Sequence, residues 1–163
     1  MIAARHIFSS RPELAAALAR DVAETLRRCL AAKGAATLAV SGGSTPAPFF
    51  AALAREQIDW AHVTVTLVDE RQVPETSPRS NAALVRRSLL VECAAAARFV
   101  PLFGNEAQAA RLLLDVVVLG MGTDGHTASF FPGGDTLAQA IDPHTDHPLL
   151  AISAPGAGEP RLT

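Results

Sequence analysis

"ATLAVSGGSTPAPFFAALARE", residues 36–56, is an aliphatic run that breaks into a Gly-rich turn and resumes as a helix. Ala36–Val40 has the unbroken apolar character of a short strand buried in a sheet. Ser41–Thr45 read as a turn. Pro46 stands near the first position of a helix over 46–56, where its missing N–H costs nothing. Strand, turn and helix in that order open a crossover unit.

The same alternation extends outward. Upstream, Ser10-Arg11-Pro12-Glu13 has capping-box spacing with proline in the first turn. Leu14, Leu18, Val22, Leu26 and Leu30 then recur every fourth residue, an amphipathic stripe that Gly34 is placed to cap. Downstream, "VTVTLV" (63–68) is a β-branched strand, and "DERQVPETSPRS" (69–80) is a polar loop. A helix follows over 81–90, then a strand over 98–103 that Pro101 interrupts. A helix over 106–113, a strand over 115–120 and a last strand over 149–153 complete the pattern. The predicted class is α/β: three layers, with a mostly parallel sheet and helices on both faces. There is no internal repeat and no low-complexity linker.

At 163 residues and 49% hydrophobic content, the chain is expected to fold as a single domain over residues 1–163 with one core. Two junctions argue that this domain is incomplete. The helix ending at Leu113 meets the strand at Asp115 without loop residues, so a gap is expected near 104–114. The chain also stops at "EPRLT" with no covering helix, so a C-terminal portion is expected to be missing.

A net charge of -2 and basic residues spread without a stripe exclude a nucleic-acid surface. No apolar run spans a membrane, and the N-terminus lacks a signal-peptide core, so a cytoplasmic protein is expected. Cys29 and Cys93 then read as separate reduced thiols. His6 and His62 read as surface or packing residues. His144 and His147, three apart between prolines, read as a surface loop rather than a metal pair.

Three polar motifs stand at strand ends, where open parallel sheets bind ligands. In "SGGSTP" (41–46), Gly42 and Gly43 permit close backbone approach, while Ser44 and Thr45 supply hydroxyls at a helix start. The motif suits a phosphate, or it is an ordinary strand–turn–helix joint; it is neither a Walker loop nor a dinucleotide fingerprint. In "VDERQ" (68–72), Asp69 and Arg71 should point one way and Glu70 the other. Arg71 suits a phosphate or a carbonyl, and Asp69 suits sugar hydroxyls or a base; a solvated strand end is the competing reading. In "MGTDGHTASFFPG" (121–133), glycines leave the strand without bulk and Asp124 stiffens the turn. The stretch is expected to end a strand, start a helix and present His126 as a base, against the alternative that His126 only caps that helix.

Taken together, "SGGSTP", "VDER" with Ser80-Asn81, "DVVVLGMGTDGHTASFFPG" and "PRLT" (160–163) resemble 6-phosphogluconolactonase and its relative glucosamine-6-phosphate deaminase. The resemblance runs from about residue 8 to Thr163 and implies a Rossmann-like sheet of the deaminase type, built as a sugar-phosphate hydrolase domain. It implies hydrolysis of 6-phospho-D-glucono-1,5-lactone to 6-phosphogluconate in the oxidative pentose phosphate pathway, with no metal and no cofactor. His126 would be the general base and Asp124 its structural neighbour, beside Gly125. Asp69 and Arg71 would line the crevice. Gly42, Gly43, Ser44 and Thr45 would lie at the sugar-phosphate pocket, with Arg161 near the phosphate. The expected partner is the sugar-phosphate lactone alone, without nucleic acid or membrane, in a monomer or weak homodimer. Two rivals remain. An aminosugar-phosphate deaminase/isomerase needs an acid after the histidine, where this chain has Thr127–Gly133. A non-catalytic sugar-phosphate-binding protein would be expected to have lost the base.

Overall fold

The computed structural model describes residues 4–155 and 157–163. Helix α1 (Arg11–Lys33) starts as the spacing predicts: the Ser10 side chain accepts from the Glu13 N–H, and Gly34 closes the helix at φ 76°. Its buried face differs from the predicted stripe. Ala15, Ala19, Val22, Ala23 and Leu26 are buried, whereas Leu14 is 46% exposed. Small residues let α1 lie close against α2 (Ala47–Leu53), Leu14 lines a cavity instead, and Leu18 both borders that cavity and packs on the core.

Strands β1 (Ala36–Val40) and β2 (Val63–Leu67) pair in parallel, with Ala36 opposite Val63 and Val40 opposite Leu67. Both faces of their carboxyl halves are covered, since successive residues Leu38, Ala39 and Val40 are all fully buried. Two further strands complete a parallel sheet in the order β4-β2-β1-β5: β4 (Arg98–Phe99) and β5 (Val116–Val118). Proline at 101 leaves β4 only two residues, shorter than the predicted 98–103. The chain is an α/β fold with a mostly parallel sheet and packed helices.

Several predicted spans contract. Helix α3 covers Asn81–Ser88, and α4 only Glu106–Ala109 rather than 106–113. Five residues therefore connect α4 to Asp115, with Leu113 86% exposed. Asp115 registers β5 at once: its N–H donates to Thr37 O (3.1 Å), and its carboxylate accepts from Thr37 N–H (2.8 Å) and Lys33 Nζ (2.6 Å). β5 is an edge strand; its Val117, and Leu119 just beyond it, are about half exposed.

One feature departs from the predicted parallel topology. Within the expected polar loop, Glu70–Arg71 form a strand, β3, which pairs antiparallel with β7 (Arg161–Leu162). β7 pairs antiparallel in turn with β6 (Ala151–Ile152), so the last predicted strand joins this small second sheet, not the large one. A second departure is that no helix starts at His126. Turns run from the end of β5 to α5 (Leu137–Ala140). No helix among the described residues is long and apolar enough to cross a membrane.

Candidate active site

The carboxyl ends of β1, β2 and β5 open onto one cavity of about 820 Å³. It is lined by Gly42, Gly43, Ser44, Thr45, Asp69, Arg71, His126 and Arg161, so all three motifs meet at one crevice. Asp124 and Gly125 stand behind His126 and do not line it. Among the described residues, Asp69 is the one carboxylate on the wall.

The Gly-rich turn is stapled to the His126 turn by Ser41, whose part in the site the motif alone does not disclose. Its N–H and Oγ both donate to Val118 O (3.1 and 3.0 Å), and its Oγ accepts from Gly120 N–H (3.1 Å). Gly42 is required by close approach: a Cβ there would come within 1.8 Å of Asn81 Oδ1. Ser44 and Thr45 lie exposed in the turn ahead of α2, and Pro46, not a hydroxyl, is the cap residue of that helix.

The β2 end alternates as predicted. Asp69 and Arg71 line the cavity, and Glu70 faces inward at 1% exposure. Glu70 is the anchor of this wall. Its carboxylate accepts from Asn81 N–H (2.8 Å), Ala82 N–H (2.7 Å), Ser80 Oγ (3.1 Å) and Arg71 N–H (2.8 Å). Three of these donors belong to the start of α3, where a buried negative charge is favoured by the free N–H groups. Asn81 carries the order to the crevice: its Nδ2 donates to Asp69 O (2.9 Å), and its Oδ1 accepts from Arg71 Nη1 (2.8 Å). Glu70 and Asn81 stood within the motifs that carry the resemblance but drew no role of their own, because a polar residue at a helix start reads first as a cap and one at a strand end as solvated.

Arg161 reaches the crevice from β7. Its Nη2 donates to Ala157 O (2.9 Å), and its Nη1 lies 3.8 Å from Asp69 Oδ2. Burial, and then the neighbouring Arg71 charge, lower the Arg161 pKa, while Asp69 and Glu159 oppose them. Nε of Arg71 and Nε of Arg161 are both buried without a hydrogen-bond partner. Two guanidiniums with orphaned donors beside one carboxylate form a locally cationic wall that favours an anionic ligand.

The His126 turn is closed by its own backbone. Gly122 N–H donates to His126 O (2.8 Å), and Gly125, at φ 87°, donates to Gly122 O (3.0 Å). A Cβ on Gly122 would come within 2.4 Å of the His126 ring, so glycine is what lets the imidazole fold over the turn. His126 Nδ1 lies 2.5 Å from Asp124 Oδ1. That hydrogen bond, helped by the His126 backbone N–H against the effect of burial, holds the Asp124 carboxyl below its usual range. An ionised carboxylate only accepts, so Nδ1 is the donor, and in the neutral imidazole Nε2 then keeps its lone pair. The ring packs on Phe131 at 4.3 Å between centroids, and the Arg161 guanidinium lies 5.3 Å from the same Phe131 centroid. His144 and His147 lie apart from this site, outside the residues that line it. No group of three or more potential metal ligands occurs among the described residues.

The model of the glucosamine-6-phosphate isomerases/6-phosphogluconolactonase family matches residues 9–163. A 6-phosphogluconolactonase from Rhizobium meliloti (strain 1021) is 54% identical over 176 aligned residues, covering 100% of this chain and 76% of that relative. The crystal structure of a 6-phosphogluconolactonase from Shewanella baltica OS155 superposes with a TM-score of 0.90 at 38% identity, covering 96% of this chain and 72% of that one. A monomeric glucosamine-6-phosphate deaminase superposes with a TM-score of 0.64 at 21% identity, over 96% of this chain and 73% of its own, a likeness of fold alone.

Proposed function

The chain belongs to the glucosamine-6-phosphate isomerase/6-phosphogluconolactonase family, and from that premise and the crevice geometry we propose that it hydrolyses 6-phospho-D-glucono-1,5-lactone to 6-phosphogluconate, a step of the oxidative pentose phosphate pathway. The observation that carries the mechanism is the contact of His126 Nδ1 with Asp124 Oδ1, which leaves Nε2 without a partner among the described residues on the wall of a cationic crevice. Nε2 takes a proton from a water as that water's oxygen bonds to the lactone carbonyl carbon. Charge developing on the carbonyl oxygen is met by Arg71 or by backbone N–H groups of the adjoining turns. The bond from that carbon to the ring oxygen then breaks, and protonated His126 delivers its proton to the departing oxygen. Asp124 keeps the imidazole oriented through both transfers, with Gly125 completing the turn that holds it.

Arg161 and the Gly42–Thr45 turn are assigned to the sugar phosphate, and Asp69 to a substrate hydroxyl. The unpartnered Nε atoms of Arg71 and Arg161 favour an anionic substrate. The deaminase alternative lacks support in the tail of the motif, since Thr127–Gly133 bring no carboxylate to the cavity.

The test is proton release on addition of freshly generated lactone. The wild-type protein should hydrolyse it well above the spontaneous rate, and His126→Ala should remove most of that excess. Ammonia release from glucosamine 6-phosphate would overturn the assignment. Hydrolysis unaffected by His126→Ala would remove the proposed base.

A further inference from the structure

Three residues beyond His126, Ser129 is fully buried, and its hydroxyl makes one hydrogen bond among the described residues: Oγ donates to Asp69 Oδ2 at 2.7 Å, across 60 positions of sequence. The backbone is bent to make this contact. Ala128 adopts φ 49°, a left-handed conformation that a residue with a Cβ avoids. Such an outlier persists only where its surroundings over-determine it. Ser129 N–H also meets Thr163 Oγ1 (3.3 Å), and that hydroxyl reaches Val68 O (3.4 Å), so the segment is held from both sides.

Asp69 is 6% exposed and makes no other hydrogen bond through its carboxylate among the described residues; Arg161 Nη1 at 3.8 Å is beyond hydrogen-bond reach. A carboxylate held at one oxygen has its rotation fixed and keeps the other oxygen for a partner. Resting on the lactonase reading above, we infer that Ser129 is a positioning residue: it ties Asp69 Oδ2 so that Oδ1 meets a substrate hydroxyl at a set distance from the base. Without the tie, the carboxylate is free to swing onto Arg161 and close the cationic wall against the substrate. The segment after the histidine thus joins the base to the substrate-holding acid in one rigid unit.

The experiment compares the wild type, Ser129→Ala, Asp69→Asn and the double variant, with kcat and KM for the lactone determined separately and a thermal melt of each. Ser129→Ala should lower kcat/KM about tenfold, the size expected for a hydrogen bond to a charged group, and should lower it no further in the Asp69→Asn background. Ser129→Cys, which fills the site with a slightly larger group and weakens the donor, should fall between and serves if the alanine variant does not fold. Wild-type kinetics in a folded Ser129→Ala, or additive losses in the double variant, overturn the inference while leaving the lactonase reading intact. If the wild type does not hydrolyse the lactone, that reading fails, and calorimetric affinities for 6-phosphogluconate decide the role of Ser129. An approximately tenfold weaker Ser129→Ala supports it; equal affinities, or none, overturn it.

Discussion

The two walls of the crevice are built on opposite plans. The Arg71 wall hangs from Glu70, a buried carboxylate whose partners Ser80, Asn81 and Ala82 lie ten to twelve positions away. The His126 wall is closed within five residues, from Gly122 to His126, and its carboxylate Asp124 is half exposed. The first wall is paid for in buried hydrogen bonds and cannot be loosened without loosening the fold. The second is a local turn that can lose its chemistry while the core stays intact. On the proposed roles, recognition is fixed where stability is concentrated, and proton transfer is placed where it is not.

The strongest way to break this contrast is to exchange the consequences. His126→Ala should cut kcat by about 10² to 10⁴ and leave the melting temperature nearly unchanged; a large loss of stability would show that both walls are structural. Glu70→Ala should do the reverse first. It strands four donors in the interior and should cost about 3–5 kcal/mol, lowering the melting temperature by roughly 10 °C for a domain of this size. A Glu70→Ala protein that melts like the wild type would refute the anchoring role.

Gly42→Ala tests the coupling between the anchor and the crevice. The new Cβ displaces Asn81, which holds Arg71, so KM should rise more than kcat falls, with a stability loss of about 1–3 kcal/mol. Unchanged KM would mean that Arg71 does not depend on Asn81.

The smallest effect is expected from Asp124→Asn, read as stability against pH. The Asp124 carboxyl is held below its ordinary range, so its contribution is present above the unfolded value near pH 4 and is lost as pH falls through the folded value. The melting difference between wild type and Asp124→Asn should be constant from about pH 8 to 5 and vanish only in stronger acid. A difference that faded between pH 7 and 5 would contradict this.

The sequence made the repetitive parts of the fold legible. The aliphatic runs at 36–40 and 63–68, the Ser10 and Gly34 caps, and the alternation of Asp69, Glu70 and Arg71 all follow from local geometry that tertiary context did not override. The second sheet was not legible, because strands of two residues carry no periodicity and β3 sits in a loop rich in Pro and Ser. The α1 stripe holds at Val22 and Leu26, which are buried, and at Leu18 and Leu30, which pack on the core; Leu14 departs because it borders the cavity, and the alanines between them carry no periodic signal although they pack closest. The motifs themselves converge on one crevice. What eluded the pattern is the support behind them, Ser41, Glu70, Asn81 and Ser129. Small polar residues and a strand-end glutamate look alike in sequence whether they cap a helix, face water or hold a neighbour in place.

The pairing of β3 with β7 gives the site a birth order. Asp69 and Arg161 are separated by most of the polypeptide, so a chain emerging from the ribosome can fold β1, β2 and α1 long before Arg161 exists. Closing so long a loop is a late event, and the antiparallel pair that ends it brings Arg161 to the cationic wall and Thr163 to Ser129. A chain interrupted between residues 119 and 160 would hold all four strands of the parallel sheet and still lack the Arg161 side of the crevice.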